Sequence, residues 1–363
     1  MKTKWSVKQI NDWYDSRPWI RGCNFMSSDC ANRVDQWQAY DFDKRLATAD
    51  RELELAASIG FNSIRIIMEF FVWQDEHDSY MANLERYIQT AAKHGISVMI
   101  TFGNDCLLPK HEFVRPKTGP QIVEWGYHGG RKLSPLRDTG AMGWSPLDEP
   151  DLKQEFLRMV SEIVGKYAND ERIIIWDLMN EAGNNGRGEV SVPHIKELFA
   201  VAREQDPCQP LTVECWLDID NLLPTEKVAL EMSDIVSYHN YMTFERNVHI
   251  IDVLREIGRP IVNTEWLCRP NMNRIQELFP LFYLERIGCY NWGLVAGKYQ
   301  TYEPIEGVWQ GYEKGEYQDW DFRIWMHDLF RPSFRPYDPK EIDVIKRVCK
   351  MADDKWKRHS NGK

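Results

Sequence analysis

Short apolar runs alternate with longer amphipathic stretches along the whole chain. The runs are 19–26 (WIRGCNFM), 61–68 (FNSIRIIM), 96–102 (ISVMITF), 172–181 (RIIIWDLMNE), 210–216 (PLTVECW), 234–241 (DIVSYHNY), 259–266 (RPIVNTEW) and 288–295 (GCYNWGLV). They are rich in β-branched and aromatic residues and bounded by Gly, Pro, Asn or Asp, the pattern of buried strands. Between them, apolar positions recur with helical spacing over 49–60, 80–95, 151–168, 192–205, a short stretch near 224–232, 246–258, 272–288 and 338–357. The first two end on Gly60 and Gly95, residues suited to the left-handed conformation that closes a helix. Eight strands each followed by a helix predict an α/β fold, a (β/α)8 TIM barrel in one domain over residues 1–363, with the barrel at roughly 18–357. An open doubly wound sheet would alternate similarly, but no GxGxxG follows the first run.

Two connections are too long for simple turns, 103–150 after the third run and 297–337 after the eighth. Both leave the C-terminal ends of strands, the catalytic face of such a barrel, and loops of this length commonly act as lids or walls. The stretch HEFVRPKTGPQIVEWGYHGGRKLSP, rich in Gly, Pro, Trp and His, predicts a structured wall and a partly closed pocket in place of an open groove.

Composition adds exclusions. With 45 basic against 55 acidic side chains the formal charge is −10, which argues against nucleic acid as a main partner. No segment reaches the roughly 18 apolar residues of a membrane span, and the polar start MKTKWSVKQINDWYD lacks the core of a secretory leader. That reads as cytoplasmic, or as periplasmic or secreted where a leader has been removed. The eight cysteines show no CxxC pair and no disulfide-framework spacing, so they read as free core residues. Fifteen tryptophans exceed what core packing calls for, and imply flat stacking platforms in a cleft as well as core fillers.

The local chemistry concentrates at two strand ends. Asn180–Glu181 closes the apolar run IIIWDLMNE, and Glu265 closes IVNTEW. Alternation places Ile173, Ile175, Asp177, Met179 and Glu181 on one face, and Ile261, Asn263 and Glu265 on one face. With those faces inward, both glutamates reach the barrel mouth. Two carboxylates converging in a cleft suit glycoside hydrolysis, one protonating the leaving oxygen and one attacking carbon or activating water. Arg65, inside the second run, calls for a charged partner at such a buried position. Asp177 lies lower in the barrel and reads as a structural hydrogen-bonding group. His111–Glu112 does not extend to HExxH, because position 115 is Arg, and no P-loop is present; no metal and no cofactor is implied.

On these residues the sequence resembles the clan A glycoside hydrolases, most closely family 5, over essentially the whole barrel. The motif carrying the resemblance is a strand-four Asn-Glu, here Asn180–Glu181, with a strand-seven Glu, here Glu265. The resemblance implies a carbohydrate substrate and net retention, with Glu181 as acid/base and Glu265 as nucleophile, their carboxyl groups about 5–5.5 Å apart. It implies that Arg65 bonds the nucleophile, the alternative being an Arg paired only with Glu69 or Asp177. It gives Tyr241 a hydrogen bond to the nucleophile, His239 a contact to sugar or to the acid/base, Asn180 the sugar 2-hydroxyl and Trp292 the stacking platform. Trp266 points the other way, into packing. Asn24, Glu69 and Asp105, at or just past strand ends, complete the expected cleft lining. Ala182 stands where the family commonly has Pro. The long wall after the third strand favours exo action or short oligosaccharides. The rival readings are an endo-acting glucanase, xylanase or mannanase, a catalytically silent sugar-binding barrel, and a barrel lyase or aldolase needing a lysine or metal that no strand end supplies.

Overall fold

Eight parallel strands line up in the order β5-β4-β3-β2-β1-β8-β7-β6. They are β1 (Arg21–Asn24), β2 (Ser63–Ile67), β3 (Ser97–Asn104), β4 (Ile173–Asn180), β5 (Leu211–Thr212), β6 (Val236–His239), β7 (Ile261–Trp266) and β8 (Gly288–Asn291). These come from a computed structural model describing residues 3–130 and 140–361. The sheet closes between β5 and β6 through the bridge Cys215↔Tyr238, where the amide of Cys215 donates to the Ser237 carbonyl and that of His239 to the Cys215 carbonyl. The expected fifth strand, 210–216, therefore keeps a ladder only at Leu211–Thr212 and carries on as irregular backbone along the seam.

The predicted helices form with small shifts at their ends, for example Phe42–Ser58, His77–Lys93, Pro150–Lys166 and Pro339–Asn361. Short helices that no period revealed, Phe70–Asp75 and Glu306–Glu313, lie in the connections after β2 and β8. The sequence also left Val7–Asp15 unassigned; this helix places Ile10 and Tyr14 against Ile20, Met99, Ile175, Ile235, Val262 and Tyr290, closing the narrow end of the barrel with apolar side chains. The larger core fills the shell between strands and helices. Trp37, Trp73, Trp176 and Trp266 are among its largest wholly buried side chains, which accounts for part of the tryptophan excess. All eight cysteines are free thiols, six of them buried. No helix among the described residues is long and apolar enough to cross a membrane.

Above the apolar floor the barrel interior turns polar. Ser63, Thr212 and Ser237 come first, with Ser63 bonded to the Tyr290 hydroxyl and Thr212 to Ser237. Arg65 and Asp177 follow, and the strand ends carry the remaining charges. The site is thus held by the rigid top of a sheet whose lower part is packed shut.

Candidate active site

Arg65 is the hub of the mouth. Its guanidinium is wholly buried and uses every face: Nε and Nη2 donate to Asp177 Oδ2 at 2.9 and 2.7 Å, Nη1 to Glu265 Oε1 at 2.7 Å and to Asn24 Oδ1 at 2.8 Å, and Nη2 to Asn180 Oδ1 at 2.7 Å. Burial alone would favour the neutral form, but Asp177, Glu265 and Glu214 outweigh it and hold the group firmly protonated. The two pairings set against each other from sequence coexist here, Arg65 bridging Asp177 and Glu265, while Glu69 is not a partner.

The two strand-end glutamates arrive by different routes, and neither follows simple alternation. On β4, Ile175 faces the barrel interior and Asp177 reaches Arg65 there, but Met179 packs into the outer core and Asn180 turns inward in its place. Glu181 then leaves the strand with φ 46°, a left-handed conformation that costs a non-glycine residue about 1–2 kcal/mol. Its amide donates to Glu214 Oε1 at 2.5 Å. On β7, Ile261 belongs to the outer core and Val262 to the interior, the reverse of the expected faces. A register slip against β6, with Tyr238 opposite Asn263 and His239 opposite Glu265, adds one residue to β7. That bulge turns Glu265 inward and leaves Trp266 outside, stacked with Phe279 and edge-on to Phe282.

The carboxylates end close together. Glu181 Oε1 accepts from His239 Nδ1 at 3.0 Å, and Oε2 from Asn184 Nδ2 at 2.7 Å and the Cys106 thiol at 2.9 Å. Glu265 Oε2 accepts from the Tyr241 hydroxyl at 2.8 Å and lies 3.5 Å from His239 Nδ1. One oxygen of each glutamate and one nitrogen of His239 all fall within 4.8 Å of one another. Three donor atoms so placed fit the span of a cation site, yet each carboxylate oxygen already accepts a hydrogen bond from the protein. The set is closed by those bonds and by the guanidinium alongside.

Electrostatics separates the pair. Burial pushes Glu265 above the usual carboxyl range, and His239 and Arg65 oppose that without cancelling it. Burial acts on Glu181 in the same sense, but the hydrogen bond and charge of His239, then Cys106 and Asn184, carry it below the usual range. The Tyr241 hydroxyl is raised by burial and by the carboxylate it serves, so it stays a donor.

Glu181, Glu265 and Tyr241 line a pocket of about 520 Å³ together with Asn180, Glu69, Cys106, Arg33, Tyr127 and Trp292, while His239 is buried behind the two carboxylates. Trp292, half-buried past β8, offers its ring to this space, and His128 meets it edge-on with centroids 5.2 Å apart. Burial lowers the His128 imidazole to about 3, so the ring on that edge is neutral. Leu107, Leu108, Phe113, Val114 and Pro116 add an apolar wall from the connection after β3, where the sequence placed one. Residues 131–139 of that connection lie outside the described residues. Asn24 lines a small adjoining cavity beside Arg65 and Trp292.

Asp105 is a correction. It is wholly buried away from the pocket, where Oδ2 accepts from the Gly183 amide at 2.7 Å and the Ser191 hydroxyl at 2.5 Å, and Oδ1 lies 2.8 Å from Arg187 Nε. Its work is to pin the loop that follows Glu181. An acidic residue past a strand end looks the same in sequence whether it faces the mouth or the loop behind it. Among the groups at the site that escaped the sequence reading are Asn104, which accepts from Asn180 Nδ2 at 2.9 Å, Cys106, Asn184 and Glu214, with Arg33 and Tyr127 on the pocket lining. Glu214 did leave a signal, a carboxylate in the middle of the apolar run PLTVECW.

Comparison with known proteins places the fold and the family. A solved GH5_18 protein from Streptomyces cattleya, in complex with Manβ1-4GlcNAc, superposes with a TM-score of 0.59 at 12% identity, covering 92% of this chain and 80% of that one. A glycoside hydrolase family 5 mannosidase from Rhizomucor miehei gives 0.57 at 11% identity, covering 92% of each. A curated β-glucuronidase from Paenibacillus borealis is 22% identical over 120 residues, 30% of this chain and 19% of that protein, so the match spans about a fifth of that relative's length. The model of the family described as Cellulase (glycosyl hydrolase family 5) matches residues 30–266. That stretch runs from the first loop past Arg65 and Asn180–Glu181 to the bulged end of β7, and with it the chain belongs to glycosyl hydrolase family 5.

Proposed function

We propose that this chain is a retaining β-glycosidase that removes single sugars from the ends of short β-linked oligosaccharides. The observation that carries the reading is the approach of Glu181 and Glu265 to within 4.8 Å, oxygen to oxygen, with His239 between them. Such a spacing suits the retaining pair, whose carboxyl groups sit about 5–5.5 Å apart, better than the inverting one, which needs about 6.5–9.5 Å to admit a water.

In the first step Glu265 attacks the anomeric carbon as the bond to the leaving oxygen breaks, and Glu181 gives that oxygen its proton. In the second, Glu181 takes a proton from water, whose oxygen attacks the same carbon and releases Glu265. Arg65 and Tyr241 hold Glu265 in line by one oxygen each. Glu181 must be protonated when substrate is bound. Its bond to His239 lets one proton reside on Nδ1 or on Oε1, and a sugar filling the pocket removes the water that favours the carboxylate. Asn180 stands where a 2-hydroxyl would reach it, and Trp292 gives the apolar face of the ring a flat surface. The apolar wall of Leu107, Leu108 and Phe113 and the His128–Trp292 contact flank that ring, which supports exo action. β-Mannosides are the first glycones to try, since both structures compared above carry mannose in their names.

The test is hydrolysis of aryl β-glycosides, pyranosides and furanosides together, by wild type and Glu265→Ala. Turnover of one glycone by wild type that vanishes in the variant supports the reading and names the sugar. Turnover surviving in the variant overturns the nucleophile. Silence on the panel with cleavage of longer oligosaccharides overturns exo action.

A further inference from the structure

Under the two glutamates sits a third, Glu214, which touches the pocket nowhere. Its side chain is fully buried on the seam between β5 and β6. Besides accepting the Glu181 amide, Oε1 lies 3.6 Å from His239 Nε2 and 3.8 Å from Arg65 Nη2. The other oxygen, Oε2, accepts no hydrogen bond from any described residue, and the same is true of Asp177 Oδ1, whose sister Oδ2 collects Arg65 and Thr101. Two carboxyl groups hydrogen-bond to each other only when one carries a proton. The charges agree: Asp177, Glu214 and Glu265 are buried around one cation, Arg65, so ionising all three would leave a net charge of two negatives in the cluster. Asp177 takes two guanidinium N–H bonds on its single oxygen Oδ2 and is the better-compensated of the two carboxyls. Glu214, farther from Arg65, is left with the proton. Burial, then the Asp177 charge, push its carboxyl well above the usual range, with a side-chain hydrogen bond to Asp177 acting the same way.

We propose that Glu214 is a positioning residue for the acid/base: a neutral carboxylic acid that anchors the left-handed turn at Glu181 and, by presenting no charge to His239 Nε2, leaves the shared proton to Glu181. A charged Glu214 would stabilise the imidazolium and draw that proton away from the leaving group. The inference rests on Glu181 being the acid/base.

Three variants and one spectrum test it. Glu214→Gln reproduces the neutral donor–acceptor pattern, so it is expected to keep the wild-type pH profile and most of kcat. Glu214→Ala loses the anchor, and kcat falls about 10²-fold with little change in KM, the scale of a small misplacement at a reacting centre. A shift of the basic limb of kcat/KM by about one pH unit in Glu214→Gln would show that the native group works as an anion, overturning the proposal. So would an unchanged kcat in Glu214→Ala. Should the alanine variant fail to fold, the infrared difference spectrum of wild type minus Glu214→Gln at neutral pH decides: a protonated carboxyl band supports the proposal and its absence overturns it. That band does not depend on the role of Glu181, which is read separately from Glu181→Gln, whose loss must be far larger for poor leaving groups than for good ones.

Discussion

Two regions of this barrel bury acidic side chains, and they compensate them differently. At the mouth, Asp177 and Glu265 are ion-paired with Arg65, and only Glu214 beneath them, 3.8 Å from that guanidinium, is proposed to keep a proton. Around β1 and β8, Glu52 and Asp328 are buried with no ion-pair partner recorded for either among the described residues. Glu52 accepts the Ser28 amide and hydroxyl, and Asp328 accepts the Thr301 hydroxyl at 2.6 Å. Burial raises Glu52 to about 8 and Asp328 to about 7, so near neutrality both retain protons to a large extent. The same residue types thus answer burial either with a cation or with a proton. The compensation at the mouth is a guanidinium, and around Glu52 and Asp328 it is a retained proton, on carboxyls that hold loops such as the one carrying Thr301 beside the pocket.

The strongest way to break this contrast is to remove the cation. Arg65→Met strands Asp177 and Glu265 without their counter-charge, which is expected to cost about 3–5 kcal/mol of stability and to abolish turnover. Denaturant unfolding measures the first, and a variant as stable as wild type would mean the mouth is neutral too. Next comes pH. In the unfolded chain Glu52 and Asp328 ionise near 4.5 and 3.8, whereas folded they hold their protons up to about 8 and 7. The folded state binds more protons across that window, so their stabilisation is complete at low pH and is lost as pH rises towards 8, at up to about 1.4 kcal/mol per pH unit for each proton retained. Glu52→Gln should flatten the slope, measured as Tm against pH, and a slope left intact would assign it elsewhere. Smallest is Cys106→Ser, which exchanges one donor to Glu181 for another. A single hydrogen bond is worth about 0.5–1.5 kcal/mol, so kcat/KM should move by no more than roughly tenfold, and a larger loss would make the thiol itself part of the chemistry.

Much of this was legible in the sequence, and the exceptions share a cause. The apolar runs located the strands because parallel strands covered on both faces are continuously hydrophobic. Asn180–Glu181 and Glu265 stood out because a carboxylate ending such a run has few structural uses. What alternation could not supply was the final turn of each side chain. The β7 bulge and the left-handed Glu181 both reset the facing over one or two residues, and nothing in IVNTEW or LMNEAG encodes that locally. Position alone also sent Asp105 to the cleft when its partners, Arg187 and Ser191, are about 80 residues further on. Glu214 was overlooked for a similar reason: its meaning depends on Asp177, Arg65 and His239, which the barrel brings together from three other strands.

The helix Val7–Asp15, with Ile10 and Tyr14 set into the barrel floor, has a consequence for traffic. With the far end stoppered, everything that enters must leave by the same door. On the mechanism proposed above, a sugar held on Glu265 waits behind its departing partner, so release is ordered: aglycone first, then water inward, then the freed monosaccharide. Accumulating monosaccharide would compete with incoming substrate for that one entrance, and inhibition by the released sugar should be competitive.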